Sequence, residues 1–224
     1  MVSEELTREF FHTRDERLIR KLSEISQVIS YKRGEELYAI GEPYTYFFIL
    51  IQGLTYTYFC DEQNRFITNC FFSRKYDFLN IEAYDKKASV GMKVLMDTEV
   101  YAVPIQAALA AVKELPGLAW EYANYLQKAM IYLCVVNNRR MYYSSDQRYH
   151  WFCEKWPQAV SLASNRQIAS FLRIRPESLS RLKSQLKRCD SGNEALANIL
   201  VTKDLQWDYM DIKQIMEKKE NAEY

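Results

Sequence analysis

The chain has 224 residues, 48% of them apolar, enough to bury one large core or two modest ones. Its formal net charge is +1, which by itself argues neither for nor against a nucleic-acid partner. Two histidines exclude a multi-histidine metal centre, and five cysteines with no Cys-x-x-Cys pair make a structural zinc site a poor fit.

The first residues, MVSEELTREF, lack an apolar core of signal-peptide length. No run approaches the ~18 apolar residues of a membrane span. With the cysteine usage, these features predict a protein of the reducing cytoplasm that does not cross a membrane. An enzyme on this chain would need a metal or a histidine–carboxylate cluster, so no catalytic residue and no cofactor are expected.

In chain order, residues 4–26 read as one helix, with Leu18, Ile19, Leu22 and Ile25 on a stripe. From Gln27 to Pro104 the texture changes to short β-branched and aromatic runs: 28–31, 36–40, 47–52, 55–60, 66–72, 90–96 and 99–104. Gly34, Gly41 and Gly53 lie between runs, where a turn calls for positive φ. Asp61–Asn64 is a polar loop suited to a hairpin. Short strands at this spacing predict a small antiparallel barrel or roll.

Pro116 then opens a long helix running to about Tyr142. Tyr122, Leu126, Ala129, Leu133 and Val136 step by 4, 3, 4 and 3, a heptad-like seam. Spacing alone fits equally a dimer seam or a helix packed on its own domain. Ser144-Ser145-Asp146 supplies caps for a helix over 146–155, and Pro157 interrupts the chain. A helix capped by Ser164 runs to Leu172; after a turn at 173–175, a second has Pro176 at its first position and Glu177 in its first turn.

Charge concentrates here. Between Ser164 and Arg188 stand seven Lys/Arg and one acid, while the rest of the chain is net acidic. Such an island suits phosphate contact at one place, or a solvated helix face. Ile168, Ala169, Leu172, Ile174, Leu179, Leu182 and Leu186 are the apolar positions of two short helices across a three-residue turn. Ala169 sits where the helices must cross closely. This is helix-turn-helix spacing, although a generic helical hairpin could share it. In a major groove the second helix would present Glu177, Ser178 and Arg181: Arg can read guanine with two hydrogen bonds, and Glu can accept from cytosine N4. Ser164, Arg166, Ser178 and Lys187 are candidate phosphate contacts, which position without reading sequence, and Arg175 is a further DNA-binding candidate.

The stretch RQIASFLRIRPESLSRLKSQLKR resembles the helix-turn-helix of the Crp–Fnr (catabolite activator) superfamily, and RYHWFCEKWPQ upstream is similar to one of its branches. YKRGEELYAIGEPYTYFFILIQGLTYTYF resembles the first half of that superfamily's cyclic-nucleotide-binding roll. The resemblance implies an α+β chain in three parts: a β-roll sensor with an N-terminal helix (1–112), a dimerisation helix (113–143) and a helix-turn-helix DNA-binding domain with a C-terminal tail (144–224). It implies base contacts from the positions of Glu177 and Arg181 and a phosphate contact from that of Ser178. The family's first base-reading Arg falls on Pro176, so operator sequence does not transfer. The family's wing hairpin has weak counterparts, a turn at 191–193 and a strand at 199–202.

Two further departures concern the turn and the sensor. The family's turn glycine is Arg173 here. The Gly-Glu of its cyclic-AMP cassette falls on Asn80 and Ile81, and the phosphate-binding Arg on Ala88, beside Ser89, in a segment a few residues shorter. Lys87 is the nearby substitute cation, and a point charge replaces a planar fork poorly. An oxygen-sensing cluster would need closely placed thiolates, and both histidines fall outside the roll, where they suit no haem. Tyr46, Phe78, Asn80, Ser89 and Tyr101 are candidates for an effector pocket; such aromatic residues more often form a core. The implied partners are double-stranded DNA, a second copy of the chain, RNA polymerase and an unidentified small-molecule effector other than cyclic AMP. A sensor or scaffold whose helix-turn-helix binds a protein is the alternative.

Overall fold

The computed structural model describes residues 2–11, 14–80 and 87–189, with side chains to Gln185. It is α+β, as the sequence predicts. The N-terminal segment forms two helices rather than one, α1 (Glu4–Phe10) and α2 (Glu16–Ile25). The cause is local: the Asp15 carboxylate accepts from the Arg17 and Leu18 amides and starts a new helix. The apolar stripe at Leu18, Ile19 and Leu22 belongs to α2 alone.

Seven strands follow among the described residues: β1 (Gln27–Tyr31), β2 (Glu36–Tyr38), β3 (Tyr46–Gln52), β4 (Thr55–Cys60), β5 (Phe66–Phe72), β6 (Gly91–Val94) and β7 (Thr98–Pro104). They form two antiparallel sheets, ordered β1-β7-β3 and β2-β6-β4-β5. Phe48 and Leu50 of β3, Cys70 and Phe72 of β5, Met92 and Val94 of β6, and Val100 and Ala102 of β7 fill the space between the sheets. Gly53 has φ +123°, and a Cβ there would lie 2.2 Å from Thr98 Oγ1, so the β3–β4 turn excludes a side chain.

Both sheets are covered on their outer faces as well, which is why β3 and β5 read as nearly continuous apolar runs. On the three-stranded sheet, Ile49, Tyr101 and Val103 point away from the roll interior. They pack against α1, α2, α3 (Ile105–Glu114) and α4 (Gly117–Tyr142). Helix α3 was not expected; it follows β7 directly and ends before Pro116, where α4 begins. On the other sheet, Leu54, Phe71 and Leu95 enter a core built with α5 (Ser145–Lys155), α6 (Pro157–Leu162), α7 (Asn165–Leu172) and α8 (Pro176–Cys189). Pro157 therefore opens a short helix at a first-turn position, where its missing N–H costs nothing.

Phe71 sits at the centre of that core. Its ring lies 5.1 Å from Phe171 and 5.3 Å from Phe152, both edge-on, and 5.9 Å from Trp156. The C-terminal helices are thus packed on the sheet through one shared cluster. No described helix is long and apolar enough to cross a membrane.

Candidate nucleic-acid interface

Helices α7 and α8 form the predicted pair. Ser164 caps α7 in a reciprocal box: its Oγ accepts from the Gln167 amide at 3.2 Å, and Gln167 Oε1 accepts from the Ser164 amide at 2.8 Å. Ile168, Ala169, Phe171 and Leu172 are fully buried, as is Leu179 of α8. Ala169 lets the helices cross closely. The turn keeps its left-handed residue without glycine: Arg173 has φ 55° and ψ 44°. The Ile174 amide donates to Ala169 O at 3.0 Å and the Arg173 amide to Ser170 O at 3.1 Å, closing the helix end.

The opposite face of α8 carries the candidate readers. Arg175, Glu177 and Arg181 are exposed, Ser178 is half-buried, and Arg166 is exposed at the start of α7. Among the described residues, the side chains of Arg166, Arg175, Glu177 and Arg181 make no ion pair or hydrogen bond. Glu177 and Arg181 are one turn apart on one face. Lys183 instead donates to Asn165 Oδ1 at 2.6 Å, tying α8 to α7. Lys187 and Leu186 lie outside the described side chains, and the expected wing at 191–193 and 199–202 lies outside the described residues.

The other side of α7 is committed to the roll. β5 is an edge strand, and its open backbone groups are met by helix side chains. The Thr68 amide donates to Ser170 Oγ at 3.0 Å, Arg140 Nη1 donates to Asn69 O at 3.0 Å, and Tyr132 Oη donates to Phe71 O at 2.6 Å. Two arginines that sequence reasoning missed close the junction. Arg140 of α4, 7% exposed, also reaches Phe171 O at 3.4 Å and Asn137 Oδ1 at 2.8 Å, and its guanidinium stacks 5.3 Å over the Phe171 ring. Arg148 of α5 donates to Leu172 O at 2.7 Å and Arg173 O at 3.4 Å. Burial holds both guanidinium pKa values below their ordinary range. The signal for Arg140 was present: it continues the stripe Ala129, Leu133, Val136 by one more step of four.

That stripe is turned inward. Tyr122 packs 5.2 Å from Phe47, Leu133 lies against the roll core, and Val136 is 1% exposed in the core shared with α7. Ala129 is half-buried. Leu126 alone of the five points outward, 44% exposed. It belongs to a different apolar stripe, Ala119, Ala123, Leu126, Met130, Cys134 and Met141, with Met130 65% and Met141 64% exposed.

The candidate effector residues are dispersed. Asn80 is buried, accepting from the Phe48 amide at 2.6 Å and donating to Tyr46 O at 3.0 Å, so it braces β3. Half-buried Tyr46 accepts from Gln27. Tyr101 lies on the outer face of its sheet, its hydroxyl shared with Thr7 at 3.1 Å, and Phe78 stacks 5.4 Å from Tyr125. Ser89 is exposed. Ala88 is 2% exposed with both backbone groups engaged: its amide donates to Glu42 O at 2.8 Å, and its carbonyl accepts from the Gly41 amide at 2.7 Å. Ile81 lies outside the described residues. No group of three or more His, Cys, Asp or Glu among the described residues could hold a metal ion.

No family model and no curated protein matches the chain. Solved structures do. FixK2 from Bradyrhizobium japonicum is 19% identical, with 73% of this chain and 85% of that one covered at a TM-score of 0.62. CLP, the c-di-GMP-responsive global regulator of Xanthomonas campestris, is 14% identical, with 78% and 92% covered at 0.60. A protein from Eubacterium rectale assigned to the Crp/Fnr family of transcriptional regulators is 14% identical, with 78% and 84% covered at 0.63. The chain has the fold of these regulators, as the sequence resemblance implied.

The arginine junction is testable. Arg140→Met leaves the Asn69 and Phe171 carbonyls without their charged donor and should lower stability by about 2–3 kcal/mol. Arg140→Lys should recover little, because an ammonium cannot span three acceptors as a planar fork does. Urea midpoints measure this; a midpoint unchanged by Arg140→Met would contradict the role.

Proposed function

We propose that the chain is a transcription regulator that binds double-stranded DNA as a homodimer, with α8 in the major groove. The observation that carries this reading is the two-sidedness of α7 and α8. One face is locked into the chain's own core, while the other presents Arg166, Arg175, Glu177 and Arg181, unpaired among the described residues, within the basic island. An exposed guanidinium one turn from an exposed carboxylate would gain little by pairing with it in water, but the two together match the edge pattern of a base pair. The fold shared with FixK2 and CLP supports it. Arg181 and Glu177 would read bases, and Arg166, Arg175, Ser164, Ser178 and Lys187 would hold phosphates.

A dimer fits the outward stripe of α4, from Ala119 to Met141, rather than the inward set. Exposed methionine and leucine side chains in steps of three and four on one long helix are what a second α4 would cover. A two-fold through α4 would set two α8 helices on successive major grooves, ~34 Å apart. The effector, if it enters the roll, is not cyclic AMP: the position of the family's phosphate-binding Arg is a buried methyl whose own backbone donor is engaged.

Each part has its measurement. Arg181→Ala should cost ~1–3 kcal/mol on a selected site and relax base choice there, whereas Arg166→Ala should weaken all sequences alike and lower the salt slope. Selection from a random DNA pool, followed by titration at two salt concentrations, decides it; equal losses on specific and random DNA for Arg181→Ala would remove the reading role, and no shift of any DNA would favour a protein partner instead. Leu126→Asp with Met130→Asp should give a folded monomer by sedimentation; a wild-type monomer at micromolar concentration would refute the dimer. Calorimetry with cyclic AMP should find no tight site, since losing two charge-assisted hydrogen bonds forfeits roughly 3–6 kcal/mol, a hundredfold or more in affinity. A dissociation constant at or below ~10 µM would show that other donors serve.

A further inference from the structure

A pocket of about 200 Å³, open to solvent on one side, lies outside the roll, between the outer face of the β3–β7 sheet and helices α2, α3 and α4. Its walls include Phe11, Phe47, Phe78, Val112, Tyr122 and Tyr125. We propose that this cavity is a binding site for a neutral aromatic molecule of one or two rings.

Three properties of the walls select that chemistry. Size comes first: an engineered apolar cavity of about 150 Å³ takes up benzene, so this one has room for a slightly larger ring system. Polarity comes second. No charged side chain lines it among the described residues, and its only side-chain polar atoms are two tyrosine hydroxyls. The Tyr125 hydroxyl is engaged, donating to Phe10 O at 2.9 Å. A carboxylate or ammonium entering it would give up hydration against these walls and meet no counter-charge. Third, the walls present ring faces and edges already fixed by mutual contact. Phe78 stacks on Tyr125 at 5.4 Å, Phe11 meets Tyr125 edge-on at 6.1 Å, and Phe47 lies 5.2 Å from Tyr122. Fixed rings attract another ring by offset or edge contacts more than they attract a flexible chain.

The site is coupled to the rest of the molecule. Ala119 and Tyr122 of its wall lie in the first turns of α4, and Ala119 also begins that helix's outward stripe. An occupant would brace these turns against the roll.

Indole is the probe, titrated into the full chain without DNA, so that the outcome is independent of the regulator reading. Calorimetry should give saturable binding, one per chain, below ~1 mM. Val112→Phe and, separately, Leu109→Phe fill the space and should weaken indole at least about tenfold while holding or raising the melting temperature. Indole-3-acetate, carrying a carboxylate, should bind at least about tenfold more weakly than indole. Should either variant fail to fold, methyl spectra of the wild-type chain decide: the Val112 and Leu109 signals must shift on adding indole. No saturable binding, as when a partner copy's side chain fills the cavity, would overturn the proposal. So would binding indifferent to both filling variants, or unmoved Val112 and Leu109 signals.

Discussion

The open edge of β5 is the constraint on which the rest of the molecule depends. A strand with one unpaired side exposes amides and carbonyls that must find partners, and here it also points Phe71 away from the roll. Another strand could have covered it. Instead α4 and α7 do, through Tyr132, Arg140 and Ser170, and the C-terminal helices close around the Phe71 ring. Two consequences follow from this one junction. The helix-turn-helix cannot move without uncovering polar backbone and an aromatic core together. And α7, held from behind, leaves α8 with its charged face outward.

Much of this was legible in the sequence, and what was not has identifiable causes. The seven strands and the α7–α8 pair are local patterns: alternation, turn glycines, a serine cap and a proline at a first helical position. The split between α1 and α2 escaped because Asp15 is a cap only by virtue of accepting from Arg17 and Leu18, while helix periodicity bridges the gap when read without it. Helix α3 is short and lies between the proline that ends β7 and Pro116, too little for a periodic signal. Of the apolar stripe read on α4, all but Leu126 face the chain's own core. That helix carries two apolar stripes, one for its own chain and one outward, and steps of three and four fit both. Only burial separates Val136 from Met130. The effector residues were gathered by type and position along the chain, yet β7 sends Tyr101 and Val100 to opposite faces, which a list of aromatics does not encode.

Helix α4 therefore has three neighbours along its length. Its first turns wall the apolar cavity, its middle lies on the roll through Tyr132 and Leu133, and its end reaches α7 through Val136 and Arg140. Its fourth side is the outward stripe. One continuous helix thus joins the pocket, the roll and α7.

The turn between α7 and α8 shows how the same junction tolerates a residue that sequence rules disfavour. A left-handed conformation costs a non-glycine residue on the order of 1 kcal/mol, and Arg173 adopts it. The opposing terms are visible. Its amide and that of Ile174 close the end of α7, and Arg148 donates to the carbonyls of Leu172 and of Arg173 itself. A hydrogen bond from a charged donor contributes ~1.5–3 kcal/mol, more than the strain. Glycine would relieve that strain but remove a cation from the edge of the basic face. Arginine at this turn is thus consistent with both the packing behind it and the phosphate-rich surface proposed in front of it.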